Sequence, residues 1–515
     1  MSKKLFKSTA VISVMTLFSR ISGLVRDVVM ANILGPGALS DAFVVAFRIP
    51  NFLRRIFAEG AFSQAFVPVF AELTERNTNE AKQFVNSTAG ILAGSTFVLS
   101  VLGMIFAPEI IVLLAPGFKQ DPEKFALTVN SLRLMFPYLF CISLVALSAG
   151  VLNTVNRFAV PAATPVLLNL CLIAAMLVLT PLLDNAAQAL AFGVLIAGFV
   201  QLFFQVPSLV KEGYFPSFRV DLQNPWVRRV FTLMLPAIFS VSVVQINMFV
   251  SMVLASRLET GSVSWLYYSD RLMEFPVGVF GIALATVVLP SLSKKHASGS
   301  SESFSAMLDW ALRWVAVIAI PASLGLYLLA TPLLTTIFQH GAFSVRDVEM
   351  SALALRAIAV GVTGIIFIKV LAPGFFAQQD TKTPVKVAVI AVVVNIILSI
   401  VLVKSMAHAG LALALSMSAW VNASLLFCIL VVRKSYRPQR GWLWFMLRVA
   451  IAVCVMGGCI VMLNSAPDVW FERTFWQRVF ALTWLVGAAM VSYFVALLVL
   501  GIRPKQLLLS PQHVD

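Results

Sequence analysis

Blocks of about twenty apolar residues follow one another from Ser8 to Gly501, parted by short turns in which polar and charged residues collect. Each block is long enough to cross a hydrocarbon core of about 30 Å at a rise of about 1.5 Å per helical residue. The pattern predicts helices over 8–34, 38–71, 84–114, 129–152, 159–182, 187–210, 227–256, 262–293, 310–338, 348–376, 384–404, 408–432, 441–464 and 475–502. The expected fold is an all-α integral membrane protein with about fourteen transmembrane helices. That even number returns both termini to one side.

Composition sharpens this. Hydrophobic residues make up 60% of the 515 and charged ones 12%, against roughly 25% charged in soluble domains. A soluble class is excluded. A net charge of +15 would point to nucleic acid in a soluble protein, but here Lys and Arg sit in short loops and report orientation. A cytoplasmic N-terminus places Lys3, Lys4, Lys7, Arg76, Lys82, Arg157, Lys211, Arg219, Arg228, Arg229, Lys294, Lys295, Lys382, Lys386, Arg433, Lys434, Arg437, Arg440, Arg503 and Lys505 inside. It leaves only Lys119, Lys124, Arg257, Arg346, Lys404, Arg473 and Arg478 outside, an asymmetry of roughly three to one. Both termini are expected in the cytoplasm and the protein in the inner membrane. The first apolar segment holds Arg20 and Arg26 and runs on without a cleavage site, so it is expected to stay attached. Cys141, Cys171, Cys428, Cys454 and Cys459 lie in apolar runs, where Cys behaves as a small hydrophobe.

An internal repeat runs through the chain at an offset of about 223 residues. Ala65-Phe66-Val67-Pro68 matches Val287-Val288-Leu289-Pro290, the turn at Pro116-Gly117-Phe118 matches His340-Gly341-Ala342-Phe343, and Asn156-Arg157 to Pro161 matches Gln379-Asp380 to Pro384. Six helices per repeat preserve polarity, so two six-helix lobes related by a pseudo-two-fold axis along the membrane normal are expected. The divisions are an N-lobe over 1–210, a cytoplasmic linker over 211–229, a C-lobe over 230–432, and helices 13 and 14 with a cytoplasmic tail over 433–515.

Charges inside the spans are the candidate chemistry, because each costs at least about 2.5–3.5 kcal/mol near the bilayer centre unless paired or wet. The first helix carries Arg20, Arg26 and Asp27, the second Asp41, Arg48, Arg54, Arg55 and Glu59, and the eighth Asp270, Arg271 and Glu274. Arg20 and Arg26 lie about 9 Å apart along the axis, to either side of Gly23, on a face made small and polar by Ser19 and Ser22. With Arg271 they form a set of guanidiniums suited to a diphosphate, since Arg binds phosphate oxygens bidentately and keeps its charge. Structural alternatives stand beside this. Arg26–Asp27 and Asp270–Arg271 are candidates for ion pairs whose partners come from elsewhere, because adjacent residues do not face each other on a helix. Arg54 and Arg55 suit an interfacial anchor, and Glu274 suits holding Arg271. Asp41 suits a helix cap or a partner for an arginine. Gly90, Gly94, Gly278 and Gly281 read as helix-packing positions. The histidines His296, His340, His408 and His513 are scattered, and no metal or nucleotide motif is present. No cofactor is expected, and transport would couple to the membrane potential or to a monovalent ion; Gln245 and Asn247 could serve such an ion or simply pack.

The run Pro50-Asn51-Phe52-Leu53-Arg54-Arg55-Ile56-Phe57-Ala58-Glu59-Gly60-Ala61-Phe62-Ser63-Gln64-Ala65-Phe66-Val67-Pro68 resembles the signature of the MurJ/MviN lipid II flippases. Ser19-Arg20 to Arg26-Asp27, Ser40-Asp41-Ala42-Phe43, Gly261 to Trp265, Asp270 to Pro276 and Lys369 to Phe376 extend the resemblance over the whole chain. It implies membership of the multidrug/oligosaccharidyl-lipid/polysaccharide exporter superfamily. It also implies movement of lipid II, an undecaprenyl-diphosphate-linked disaccharide peptide, from the inner to the outer leaflet by a monomer among membrane lipids. By the same resemblance Arg20, Arg26 and Arg271 would contact the diphosphate, with Asp41, Arg54, Ser264 and Glu274 as sensitive cavity residues and the last two helices as a groove for the lipid tail. The expected activity is transport and not catalysis. Alternatives are an exporter of another lipid-linked oligosaccharide or a drug with the same fold, and a membrane enzyme, for which a catalytic cluster is missing. Lobe rocking would bend at Gly23 and near Pro50 and Pro276.

Overall fold

The computed structural model describes residues 3–56, 61–183, 185–298 and 300–502, with helices and turns and no strand among them. The signature residues Phe57, Ala58, Glu59 and Gly60 and the basic Arg503 and Lys505 lie outside the described residues, as do the side chains of Lys3, Lys4 and Lys7. The chain separates into two compact units, Met1–Ser264 and Trp265–Asp515.

In the first unit the helices are α1 (Lys3–Leu34), α2 (Ala38–Arg54), α3 (Ala61–Arg76), α4 (Thr78–Ile105), α5 (Ala107–Leu114), α6 (Pro122–Met135), α7 (Tyr138–Thr154), α8 (Ala159–Ala174), α9 (Thr180–Leu183), α10 (Ala186–Lys211) and α11 (Pro225–Ala255). The helix α12 (Ser262–Pro276) leads into the second unit, which holds α13 (Ile282–Ala297), α14 (Ser301–Leu328), α15 (Ala330–Ile337), α16 (Val345–Phe376), α17 (Lys382–Val432), α18 (Trp442–Leu463), α19 (Pro467–Glu472) and α20 (Phe475–Val499). Ten helical stretches among the described residues are long and apolar enough to span a bilayer. The charged α1 and α2 are not in that set.

Several helices predicted as single rods are broken, for local reasons. The span over 84–114 breaks at Phe106 and the one over 310–338 at Leu329, with backbone angles of −87°, 14° and −96°, 13°. Pro108 and Pro332 just beyond cannot donate to the preceding turn. Pro137 likewise parts α6 from α7. The turn expected between 404 and 408 appears as a single non-helical residue, Ala407, inside α17. A π-helical turn, Val277–Gly281, follows Pro276 directly, at a proposed bending point. The helix α1 runs through Gly23 without a break.

The two halves cap their helices alike. Asn77 and Ser300 cap α4 and α14, and Asp121 and Ser344 cap α6 and α16. Asn156 and Gln379 both take positive φ, 63° and 59°. In the first unit Phe62, Phe66, Phe70 and Phe84 stack in one core with Leu73, Val151 and Val230. The apolar half of the signature is therefore packing. In the second unit one core joins α14, α16 and α17, and another joins α18 and α20 to α14.

Two glycine readings are corrected. At Gly94 a Cβ would meet open space. Gly90 does not receive another helix: a Cβ there would meet the carbonyl oxygen of Arg219 at 2.1 Å. The segment after α10 thus lies on α4, where Asn86 accepts from the Ser217 N–H at 2.8 Å and the Arg219 N–H at 3.3 Å.

Candidate functional site

The charges of α1 divide between two environments. Arg20 is exposed and has no ion pair among the described residues. Arg26 and Asp27 are buried in the seam between α1 and α8. The Arg26 Nε and Nη2 donate to Asp27 Oδ1 at 3.0 and 2.7 Å, and its Nη1 donates to Asn169 Oδ1 at 3.0 Å. Asn169 completes the network by donating to the Ser19 carbonyl at 3.1 Å and Ser22 Oγ at 3.0 Å. The expectation that Arg26 and Asp27 would need separate partners is corrected: the long arginine side chain folds back onto its own neighbour. The small polar face of Ser19, Ser22 and Gly23 receives Asn169.

Asp41 is a densely bonded carboxylate. Its Oδ2 accepts from Lys124 Nζ at 2.7 Å and the Gly261 N–H at 2.8 Å, and its Oδ1 accepts from Ser264 Oγ at 2.6 Å and the Ser264 N–H at 3.0 Å. All four donors are buried against an aspartate only 1% exposed. Asp41 thus caps the start of α12, not its own helix, and its cationic partner is a lysine, not an arginine. The ammonium of Lys124 also lies 4.1 Å from the Phe118 ring centroid. Four segments meet here: α2, α6, the turn before α12, and α12 itself. Nearby, the Gly117 N–H donates to Ser256 Oγ at 3.2 Å, and a Cβ at Gly117 would strike the Ser256 carbonyl oxygen at 2.1 Å.

On α12, Arg271 Nη1 donates to Glu274 Oε2 at 2.9 Å and Nη2 to the Tyr267 hydroxyl at 3.1 Å, with the guanidinium 5.0 Å from the Tyr267 ring centroid. Glu274 holds Arg271, three residues away, and is itself half exposed. Arg54, at the end of α2, donates through Nε and Nη2 to Asn51 Oδ1 at 3.2 and 3.0 Å. Of the seven residues singled out in the sequence, the structure brings together Asp41 with Ser264 and Arg271 with Glu274. Arg20, Arg26 and Arg54 each stand in a different setting.

The family model described as lipid II flippase MurJ matches residues 30–481. The chain belongs to the lipid II flippase MurJ family. A probable lipid II flippase MurJ of Vibrio cholerae is 44% identical over 514 residues, covering 98% of each chain. A lipid II flippase MurJ of Burkholderia cenocepacia is 44% identical over 459 residues, covering 88% of this chain and 89% of the relative. Among solved structures, a lipid II flippase MurJ in an inward closed conformation superposes with a TM-score of 0.80 at 27% identity, over 96% of this chain and 99% of that one. An inward-facing multidrug resistance MATE transporter of the MOP superfamily gives a TM-score of 0.67 at 16% identity, covering 81% and 94%, which shows a shared fold. This MurJ-family chain is a multi-pass membrane protein and a transporter. Residue reasoning missed Lys124, Asn169, Asn51 and Tyr267. Lys124 carried one signal: a cation in the first turn of α6 opposes the helix dipole, and so calls for a carboxylate from elsewhere.

Proposed function

We infer that the chain moves lipid II from the inner to the outer leaflet of the cytoplasmic membrane by alternating access, supplying cell-wall biosynthesis. The observation that carries this is the 44% identity to a probable flippase over 98% of both chains. The mechanism follows from charge. A diphosphate with its headgroup cannot cross hydrocarbon bare, because unpaired charge in the bilayer is too costly. A basic, water-filled route through the protein lets the headgroup pass in protein while the tail stays in lipid. We count fourteen spans by reading α17 as two helices and adding the charged α1, the α2–α3 pair and α11 to the apolar set. Both termini are cytoplasmic by the loop charge asymmetry.

Arg20 and Arg271 are the first contacts for the diphosphate in this reading, being the more accessible guanidiniums; Arg26 joins when Asn169 and Asp27 yield. Arg54 lies farther along the route, and Glu274 positions Arg271. Asp41 with Ser264 closes the outer end, where the turns carry few basic residues. An inside-negative potential favours outward movement of a negative cargo by about 2.3 kcal/mol per charge per 100 mV, which supports coupling to the membrane potential. Depletion of the protein in its host tests the function. Lipid II reachable by an externally added degrading enzyme should fall while total lipid II rises, and an Arg20→Ala copy should not restore it. Unchanged outer-leaflet lipid II, or full rescue by Arg20→Ala, would refute the reading.

A further inference from the structure

The third and fourth turns of α14, the start of α18 and the end of α20 line a cavity of about 420 Å³ that the flippase reading does not use. Arg313 and Arg448 line it together with Trp310, Trp444 and Phe445, and among the described residues no acidic side chain does. Behind the wall lies Asp309, buried and already saturated. Its Oδ1 accepts from the Tyr436 hydroxyl at 2.8 Å, the Trp442 indole N–H at 2.5 Å and the Gln439 N–H at 3.2 Å, and its Oδ2 from Arg313 Nε at 2.8 Å. One carboxylate thus balances one arginine and pins the 433–441 turn, leaving Arg448 as surplus positive charge. The Arg313 guanidinium lies 5.5 and 5.2 Å from the ring centroids of Trp442 and Phe445, which fixes its plane. Arg448 sits beside Gly501 at the carboxyl end of α20, where the helix dipole favours a cation. Both cations are therefore held at the cavity wall.

The surroundings say which anion fits. Trp444, which lines the cavity, and Leu443 and Leu447 on the same helix α18 are exposed, and a soluble anion would leave them uncovered. A lipid covers them with its chains while its phosphate reaches the arginines. We propose that this cavity binds the phosphate of an anionic glycerophospholipid of the cytoplasmic leaflet and so docks α18 and α20 against α14. Arg448 would hold the phosphate bidentately, Arg313 would supply the second charge, and Trp444 would sit at the glycerol level, as tryptophans do at membrane interfaces. The leaflet, though not the site, rests on the orientation given under Proposed function.

Thermal melting of the purified full-length chain in detergent tests the site, with added phosphatidylglycerol, phosphatidylcholine or inorganic phosphate. A ligand of the folded state raises the midpoint by mass action. Phosphatidylglycerol should raise it more than phosphatidylcholine does, and Arg448→Gln and Trp444→Ala should each lose at least half of that difference. Lys119→Gln, at an exposed position of the other unit, should keep it. Equal shifts with phosphatidylcholine, an equal shift with inorganic phosphate, or an undiminished response in both cavity variants would overturn the proposal. Labelling of Arg448→Cys by an impermeant thiol reagent, in a background without native cysteines, should occur only from the cytoplasmic side. Labelling from outside would overturn the leaflet and the orientation while leaving the lipid response to judge the site.

Discussion

At the scale of single residues, the Asp41–Lys124 pair carries the sharpest energetic prediction. Both groups are nearly out of reach of solvent, and removing one partner of a buried pair costs about 3–5 kcal/mol because the other charge is left alone. Asp41→Ala should lower the melting temperature strongly, and Asp41→Asn less, since its one amide oxygen can still accept from the Ser264 hydroxyl and N–H. Combining Asp41→Asn with Lys124→Met should recover most of the loss. Melting curves of the four proteins check this, and a double variant no better than Asp41→Asn alone would show that Lys124 does not supply the penalty. A second carboxylate tests pH dependence outside the membrane. Asp380 accepts from the Thr383 hydroxyl at 2.6 Å, the Arg433 guanidinium at 2.6 Å and the Thr383 N–H at 3.0 Å. These bonds, the Thr383 hydroxyl foremost, hold its carboxyl well below the usual carboxylate range. A depressed folded value means that the stabilisation is complete above the ordinary value of about 3.9 and is lost as pH falls below it. Stability attributable to Asp380 should be constant from neutral pH to about 4 and decline below. Asp380→Asn should be less stable at neutral pH and should lack that part of the acid decline.

At the scale of elements, contact between the segment after α10 and α4 depends on a missing side chain. Gly90→Val would drive two methyl groups into the Arg219 backbone, which cannot rotate away, so the segment must lift from α4. The expected result is faster proteolysis between residues 212 and 224 with a lower melting temperature, whereas Gly94→Val, facing open space, should change neither. The glycine was visible in the sequence but its partner was not, since helix periodicity identifies a face without saying what covers it. The repeat was more legible. Prolines, caps and turn residues act on the neighbouring backbone alone, so the matched positions Asn156 and Gln379 show the same left-handed conformation despite differing side chains. The turn after α7 is tied to the end of α10 by Arg157 with Glu212 at 2.7 Å, and the turn after α16 to the end of α17 by Asp380 with Arg433 at 2.6 Å, with the signs exchanged. A residue-identity comparison hides such a pair because the charges are reversed. The site was half legible for a related reason. Glu274 reaches Arg271 within one helical turn, which spacing predicts, whereas Asp41 meets Lys124 and Ser264 across separations that no local pattern encodes.

At the scale of the whole molecule, the bond between Asp41 and Ser264 joins positions 223 residues apart, the offset of the internal repeat. If this contact closes the outer end as proposed, that end opens only when α2 parts from the start of α12. A chemical bond placed there should therefore hold that end shut. In a background without Cys141, Cys171, Cys428, Cys454 and Cys459, and with Lys124→Met so that no ammonium is left buried alone, Asp41→Cys and Ser264→Cys put thiols where oxygens now lie 2.6 Å apart. Oxidation should form the disulfide and stop lipid II from reaching the outer leaflet, and reduction should restore it; each single cysteine should be indifferent to oxidant. Continued transport by the fully oxidised protein would mean that cargo leaves by a route that never separates α2 from α12, and the closure assigned to this end would be wrong. Arrest with reversal would instead make four hydrogen bonds on one aspartate the contact that each transport cycle has to break.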